Sequence, residues 1–302
     1  MKILITGASG LIGRELQTSF TEKGYEMMLA TRSDPKKPNE IQWATKEGFA
    51  SEDLKRLEGL DAVVHLAGEN ISGFRWTDEK KRAIRDSRVL GTRCVVEALS
   101  KLENRPRTLI SASGIIYGDR GDEILTEESS IGNTFLSELA KDWEAEAELA
   151  GELGIRVAML RIGPVLAKEG GALAAMLTPF SLGLGGAAGS GKQWMSWIAL
   201  SDLIAVINFV LEKETLRGAI NTVSPNPVTN EEFTKTLGGV LSRPTILSLP
   251  EFAVRLMFGE MGEALLLSSA RVVPKRLEDA GFEFVFPHLK PALEHALNPK
   301  DK

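Results

Sequence analysis

The sequence predicts an α/β fold: a doubly wound parallel sheet with helices on both faces, and a smaller C-terminal domain beside it. Three features predict this. Short apolar runs of β character alternate with segments of helical period as far as Ile162, the pattern of successive βαβ units. The first of these runs passes directly into a glycine-rich turn. After Gly163 the regularity falls, and Pro244, Pro250, Pro274 and Pro287 cut the tail into short pieces.

The elements can be justified in order. Lys2–Thr6 is a buried strand. Leu11–Lys23 carries Leu11, Ile12, Leu16 and Phe20 at helical spacing, and Gly24 stops it as a favoured C-terminal residue. EMMLA (Glu26–Ala30) and DAVVHL (Asp61–Leu66) read as strands, and Asp78–Leu102 as a long helix with Ile84, Val89, Val96 and Leu99 on one side. Arg107–Ala112 is a strand, Phe135–Leu153 a helix and Ile155–Ile162 a strand. Asp202–Leu211 reads as a helix and Ala219–Val223 as a short strand. Thr229, with Glu232 three residues on, has the spacing of a helix N-cap.

Composition narrows the function classes. The chain has 302 residues, 43% hydrophobic and 25% charged, which is globular and ample for a sizeable core. A net charge of −5 without a long basic run argues against nucleic acid. The single cysteine, Cys94, excludes an intramolecular disulfide and a cysteine-based metal cluster. His65, His288 and His295 do not have metal-site spacing. The chain opens on a strand rather than a leader, and its longest apolar stretch is broken by Pro179 and glycines. No membrane association, no metal and a cytoplasmic location are therefore expected, with a small molecule as the partner.

The turn Gly7-Ala8-Ser9-Gly10-Leu11-Ile12-Gly13 lies between a strand and a helix. Glycines there let the backbone approach a diphosphate, and the helix N-terminus offers free N–H groups and partial positive charge. The spacing is Gly-x-x-Gly-x-x-Gly, and with its context it resembles the short-chain dehydrogenase/reductase superfamily, its extended branch in particular. That resemblance implies a Rossmann-type fold binding NAD or NADP. At the end of the second strand, Thr31-Arg32-Ser33 stands where an acidic residue would bind the ribose of NAD, with no acid before Asp34. An arginine fork can pair with a 2′-phosphate and stack on adenine, so NADP is favoured over NAD. The resemblance further implies cofactor contacts at Leu66, Ala67 and Gly68, at Ser111 and Ala112, and at Arg161, Gly163 and Pro164. His65 is as well explained by packing at a strand end as by contact.

In this superfamily a serine holds the reacting oxygen, a tyrosine exchanges its proton, and a lysine four residues later tunes the tyrosine. Hydride transfer at a carbonyl has to be matched by proton transfer to its oxygen. Ser113 matches the serine. The only tyrosines are Tyr25 and Tyr117, and neither falls at the family position. Aligning on Glu144 puts Leu136 and Ala140 at the places of the pair; a shift by one gives Ser137 and Lys141, about 100° around the helix.

Three further stretches, AGENISGFRWTDEKKRAIRDSRVLGT, GGALAAMLTPFSLGLGGAAGSGKQWMSWIALSDL and NTVSPNPVTNEEF with the proline-cut tail ending PKRLEDAGFEFVFP, resemble an atypical epimerase-family group of short-chain reductases. Members carry a C-terminal domain of unknown function, and some are labelled nucleoside-diphosphate-sugar epimerase or cell-division inhibitor. The resemblance implies NADP binding and the absence of the Tyr/Lys pair, without naming a substrate. A cofactor domain is expected over 1–165, completed by about 193–223, with a substrate-side domain from 166–192 and 224–302. A dimer through the helices at Asp78–Leu102 and Phe135–Leu153 is one option and a monomer the other.

Replacements for the missing acid are Tyr117, beside the nicotinamide face, and Glu69, after the strand-end motif, where partial desolvation would tune a carboxylate. Arg88, on the long helix, is a candidate for the cofactor phosphates or the nicotinamide ribose. Asn70, Lys192, Gln193 and Trp194 are candidates for the substrate cleft, while Trp197 reads as core. Two functions compete. One is an NADP-dependent oxidoreductase or epimerase-like enzyme on a carbonyl, hydroxyl or sugar-like compound, supported by the retained serine. The other is a catalytically weak NADP-sensing regulator, supported by the missing pair.

Overall fold

In the computed structural model, which describes residues 1–73 and 75–298, the chain runs as follows. Strand β1 (Lys2–Thr6) leads to helix α1 (Leu11–Glu22), then β2 (Glu26–Thr31), β3 (Glu40–Ala44), β4 (Gly48–Phe49) and β5 (Ala62–His65). Helix α2 (Asp78–Ser100) leads to β6 (Thr108–Gly114), the short β7 (Ile124–Leu125), α3 (Phe135–Glu148) and β8 (Arg156–Ile162). Then come β9 (Val165–Leu166), α4 (Gly171–Ser181), β10 (Trp194–Met195), β11 (Ile198–Ala199), α5 (Leu200–Glu212) and β12 (Gly218–Thr222). The remainder is β13 (Val228–Thr229), α6 (Asn230–Leu241), α7 (Glu251–Gly262), β14 (Arg271–Val272), α8 (Lys275–Asp279) and α9 (Leu289–Leu297).

Eight strands form one Rossmann-type sheet in the order β12-β8-β6-β5-β1-β2-β3-β4. All pairs are parallel except β3–β4. Side chains alternate across it as a strand requires. Ile3, Ile5, Val64, Ile110 and Leu160 face α1 and α5, while Leu4, Val63, Leu109, Val157 and Met159 face α2 and α3. Burial on both faces explains the unbroken apolar runs in the sequence. Thr77, Thr134 and Thr229 cap α2, α3 and α6, their hydroxyls accepting N–H bonds from Lys80, Ser137 and Glu232. The predicted elements to Ile162 are found with ends shifted by a residue or two, but Phe135–Leu153 changes to a 3₁₀ turn after Glu148. Strands β3 and β4 escape sequence reading because Glu40–Phe49 mixes charge, glycine and one buried Trp43.

A second core gathers Leu173 and Phe180 of α4, Phe233 and Leu237 of α6, and Ala292 and Leu293 of α9 around Trp197, which is core as expected. Asp202, in the first turn of α5, joins the two regions by accepting the backbone N–H groups of Val285 and Phe286 at 2.8 and 3.0 Å.

Candidate active site

Strand order reverses between β1 and β5, which places a crevice outside the carboxyl ends of these strands. Gly7 and Gly13 shape it. Gly7 has φ +71°, and a Cβ there would lie 2.7 Å from the Leu66 carbonyl carbon; one on Gly13 would lie 2.3 Å from the Gly7 oxygen. Gln17 fastens the turn by donating to the carbonyls of Ala8 and Gly13. Gly10 is the N-cap of α1 and supplies no side-chain bond. The first backbone N–H groups of α1, at Leu11, Ile12 and Gly13, therefore lack a side-chain cap from Gly10, a fit for an anionic group.

Around this turn the expected residues converge. Leu66 and Ala67 abut Gly7, and Gly68 lies against the Arg88 guanidinium, to which a Cβ would come within 3.4 Å. Arg88 is largely buried. It donates to the Glu69 and Ile84 carbonyls at 2.9 and 3.2 Å and lies over the Trp143 ring. Burial lowers its pKa to about 10, so it remains a cation at neutral pH. Arg32 and Ser33 are exposed at the end of β2, with Ser33 bonded to Thr31. His65 is fully buried, its ring nitrogens 2.7 Å from Thr6 Oγ1 and 3.1 Å from Thr92 Oγ1. It is a packed clamp between β1, β5 and α2, rather than a cleft residue.

Glu69, a sequence candidate for the acid, pairs with Lys80 at 2.6 Å. That hydrogen bond lowers its pKa and outweighs desolvation, with Arg32 and Arg88 adding to the effect. Lys80 thus engages Glu69 Oε1. Asn70 is exposed and accepts the Ser72 N–H.

At the end of β6 a buried chain of hydrogen bonds starts from Ser113. The Ser113 hydroxyl donates to Glu144 Oε1 at 2.7 Å. Glu144 accepts both Nε and Nη2 of Arg161 at 2.8 Å. Arg161 Nη1 donates to the Tyr117 hydroxyl at 3.0 Å, and Tyr117 donates to Asn221 Oδ1 at 2.7 Å. Burial opposes the Arg161 charge, but the Glu144 bonds and charge outweigh it and its pKa rises.

Three of the expected site residues turn inward. Tyr117 has 0% exposure, and its proton is committed to Asn221; burial raises its pKa against the opposing pull of Arg161. It is a wall inside the protein, not an acid in the cleft. Arg161 has each of its three nitrogens engaged within the chain rather than facing a cofactor. Ser111 also turns inward, bonding the Ala112 carbonyl, whereas Pro164 is exposed beside the buried Gly163.

The shifted Ser-x-x-x-Lys register is not used. Lys141 is exposed and Ser137 sits in the α3 cap, bonded to Thr134. Ala140 is buried, and Glu144 lies one turn on from it along α3. Sequence reasoning used Glu144 only as an alignment landmark. The signal it offered was its four-residue offset from Ala140, which places a carboxylate on the same helix face.

The loop before β10 is also tied down. Gln193 is buried and donates to the Ala188 and Leu266 carbonyls, so it holds the loop rather than lining a cleft. Trp194 bonds Asp122 and lies under Arg271. Lys192 is exposed. Among the described residues no group of three or more His, Cys, Asp or Glu could hold a metal, and no helix is long and apolar enough to cross a membrane.

The chain is similar to known proteins over nearly its whole length. A family model described as the NAD dependent epimerase/dehydratase family matches residues 3–222, and one described as a domain of unknown function, DUF1731, matches 249–296. The epimerase family protein Mb2239 of Mycobacterium bovis is 39% identical over 295 residues, 97% of each chain. The crystal structure of human epimerase family protein SDR39U1 (isoform 2) with NADPH superposes with TM-score 0.90 at 34% identity, covering 99% of this chain and 100% of that one. A nucleoside-diphosphate sugar epimerase structure from Corynebacterium glutamicum reaches TM-score 0.81 at 36% identity, over 98% of this chain and 58% of that one.

Proposed function

The chain belongs to the NAD-dependent epimerase/dehydratase family, and from that premise we propose that it is an NADP(H)-dependent oxidoreductase or epimerase-like enzyme acting on a small carbonyl, hydroxyl or sugar-like compound. The observation that carries the reading is the uncapped N-terminus of α1 behind the Gly7 and Gly13 cradle. Gly7, Ser9, Gly10, Leu11, Ile12 and Gly13 would hold the diphosphate there. Thr31, Arg32 and Ser33 would take the 2′-phosphate, with the Arg32 guanidinium exposed for it. The human relative crystallised with NADPH supports the same choice. Leu66, Ala67 and Gly68 would border the adenosine side, and Arg88 the phosphates or the nicotinamide ribose. Ala112, Gly163 and Pro164 would border the nicotinamide, which supplies hydride exchange when bound. Asn70 and Lys192 remain the exposed substrate candidates.

The absence of a phenol in the cleft supports a second reading, a sensor of the NADP(H) state. Fluorescence titration with NADPH and NADH tests the common premise. NADPH should bind more tightly, and Arg32→Ala should weaken NADPH by about 10-fold or more, the effect of losing a charge-assisted pair, with little change for NADH. Tighter binding of NADH would sink the assignment. Turnover then separates enzyme from sensor.

A further inference from the structure

We propose that Ser113 and Glu144 form a proton relay that replaces the missing Tyr/Lys pair and takes the proton of a substrate secondary hydroxyl. The inference rests on the NADP(H)-dependent reading above. A carboxylate can only accept hydrogen bonds, so the 2.7 Å contact commits the serine proton to Glu144. The Ser113 lone pairs are then left to accept a hydroxyl proton from a substrate at the end of β6. A tyrosine in the standard arrangement presents its own proton. Here the proton's destination is a carboxylate reached through the serine.

The surroundings suit that role. Glu144 and Arg161 side chains are only 11% and 7% exposed, and the paired Arg161 fork fixes the carboxylate with one oxygen shared with Ser113. Asp142 and Glu146 of α3 are paired with α2. On α2, Arg85 pairs with Asp142, Arg93 with Glu146, and Arg88 stacks over Trp143. Beyond Arg161 the chain runs through Tyr117 and Asn221 to the Val273 carbonyl. Lys141, which could have substituted for the family lysine, faces outward.

The step balances. NADP⁺ held at the Gly7–Gly13 turn would be the oxidant and would take the hydride released as the carbinol C–H bond breaks. The carbinol O–H proton passes to Ser113 Oγ as the serine proton passes to Glu144 Oε1. The products are a ketone, NADPH and a protonated Glu144, and the reverse sequence reduces a carbonyl. Ser113 touches the reacting oxygen. Glu144 acts through it as a positioning residue and proton reservoir.

The test uses the full-length protein with NADPH binding measured first, so that failure of the cofactor reading shows as lost binding. Two probes follow: phenanthrenequinone with NADPH, and cyclohexanol with NADP⁺. Ser113→Ala, which leaves the Glu144–Arg161 pair intact, should lower kcat by about 100-fold or more, with KM changed by less than about threefold. Glu144→Gln should do likewise, and Glu144→Asp should restore part of the rate. A readout without turnover is the carbon-13 carboxyl resonance of Glu144 in the NADP⁺-loaded protein, identified by its loss in Glu144→Gln. Ser113→Ala should move it. NADPH binding without turnover of either probe overturns the relay, as does a Glu144→Gln enzyme with wild-type kcat, or a resonance indifferent to Ser113.

Discussion

Arg161 and Glu144 meet fork to fork, Nε to Oε1 and Nη2 to Oε2, each at 2.8 Å, beneath the edge where β6 and β8 end. Removing one member of a buried bidentate pair leaves the other charge uncompensated. Arg161→Ala leaves Glu144 buried and opposite no cation. The expected cost is about 3–5 kcal/mol, read as a fall in denaturant midpoint at unchanged slope. A loss below about 1 kcal/mol, the level of an exposed pair, would mean that the pair opens to water in solution.

Tyr117→Phe tests the corrected role of the tyrosine. The change keeps the ring in its fully buried site and removes the hydroxyl that bonds Asn221 and Arg161. An unpaired buried Asn221 oxygen should cost about 1–3 kcal/mol. NADPH affinity should stay within a factor of about two, since a distal hydroxyl outside the cleft contributes no cofactor contact. A large loss of NADPH binding with stability intact would place the hydroxyl in the cleft after all.

His65 makes stability depend on pH. Burial lowers its pKa from 6.5 to about 4, so the folded protein keeps it neutral where the unfolded chain binds a proton. The contribution is fully present above pH 6.5 and is lost as pH falls toward 4. The loss should reach about 3 kcal/mol, from the size of the shift. Thermal unfolding of wild type against His65→Gln across this window measures it. The difference between the two should shrink on acidification, and a constant difference would mean that His65 titrates normally.

Gly13→Ala should abolish NADPH binding with a folded sheet. The added Cβ would lie 2.3 Å from the Gly7 carbonyl oxygen and 2.7 Å from Ala8 Cα, both backbone, so the turn itself has to move. Circular dichroism unchanged from wild type, with NADPH titration at least 10-fold weaker, is the expected pair of results. Retained affinity would show that the turn is not the diphosphate site.

Much of this molecule is legible along the chain because its signals are local. Lys2–Thr6, the turn to Gly13 and α1 lie within a short stretch, so pattern and glycine spacing identify them together. Thr229 as a cap is equally local. Glu40–Phe49 was not legible, because β3 is a strand only through its pairing with β2 and the burial of Trp43. The partners of Ser113 were hidden for the same reason: Glu144 is 31 positions away and Arg161 lies on another strand.

The sequence by itself determined the alternation of strands and helices, the diphosphate-type turn and the lack of a tyrosine at the family position, since each depends on neighbours in the chain or on a residue's mere absence. Only the tertiary structure decided which side chains share the space that absence leaves. Tyr117, adjacent to the motif in sequence, is drawn into the core by the burial of its ring and the pairing of its hydroxyl with Asn221. Glu144 comes to Ser113 because α3 packs on β6, and there the acceptor-only chemistry of a carboxylate fixes the direction of the serine's proton.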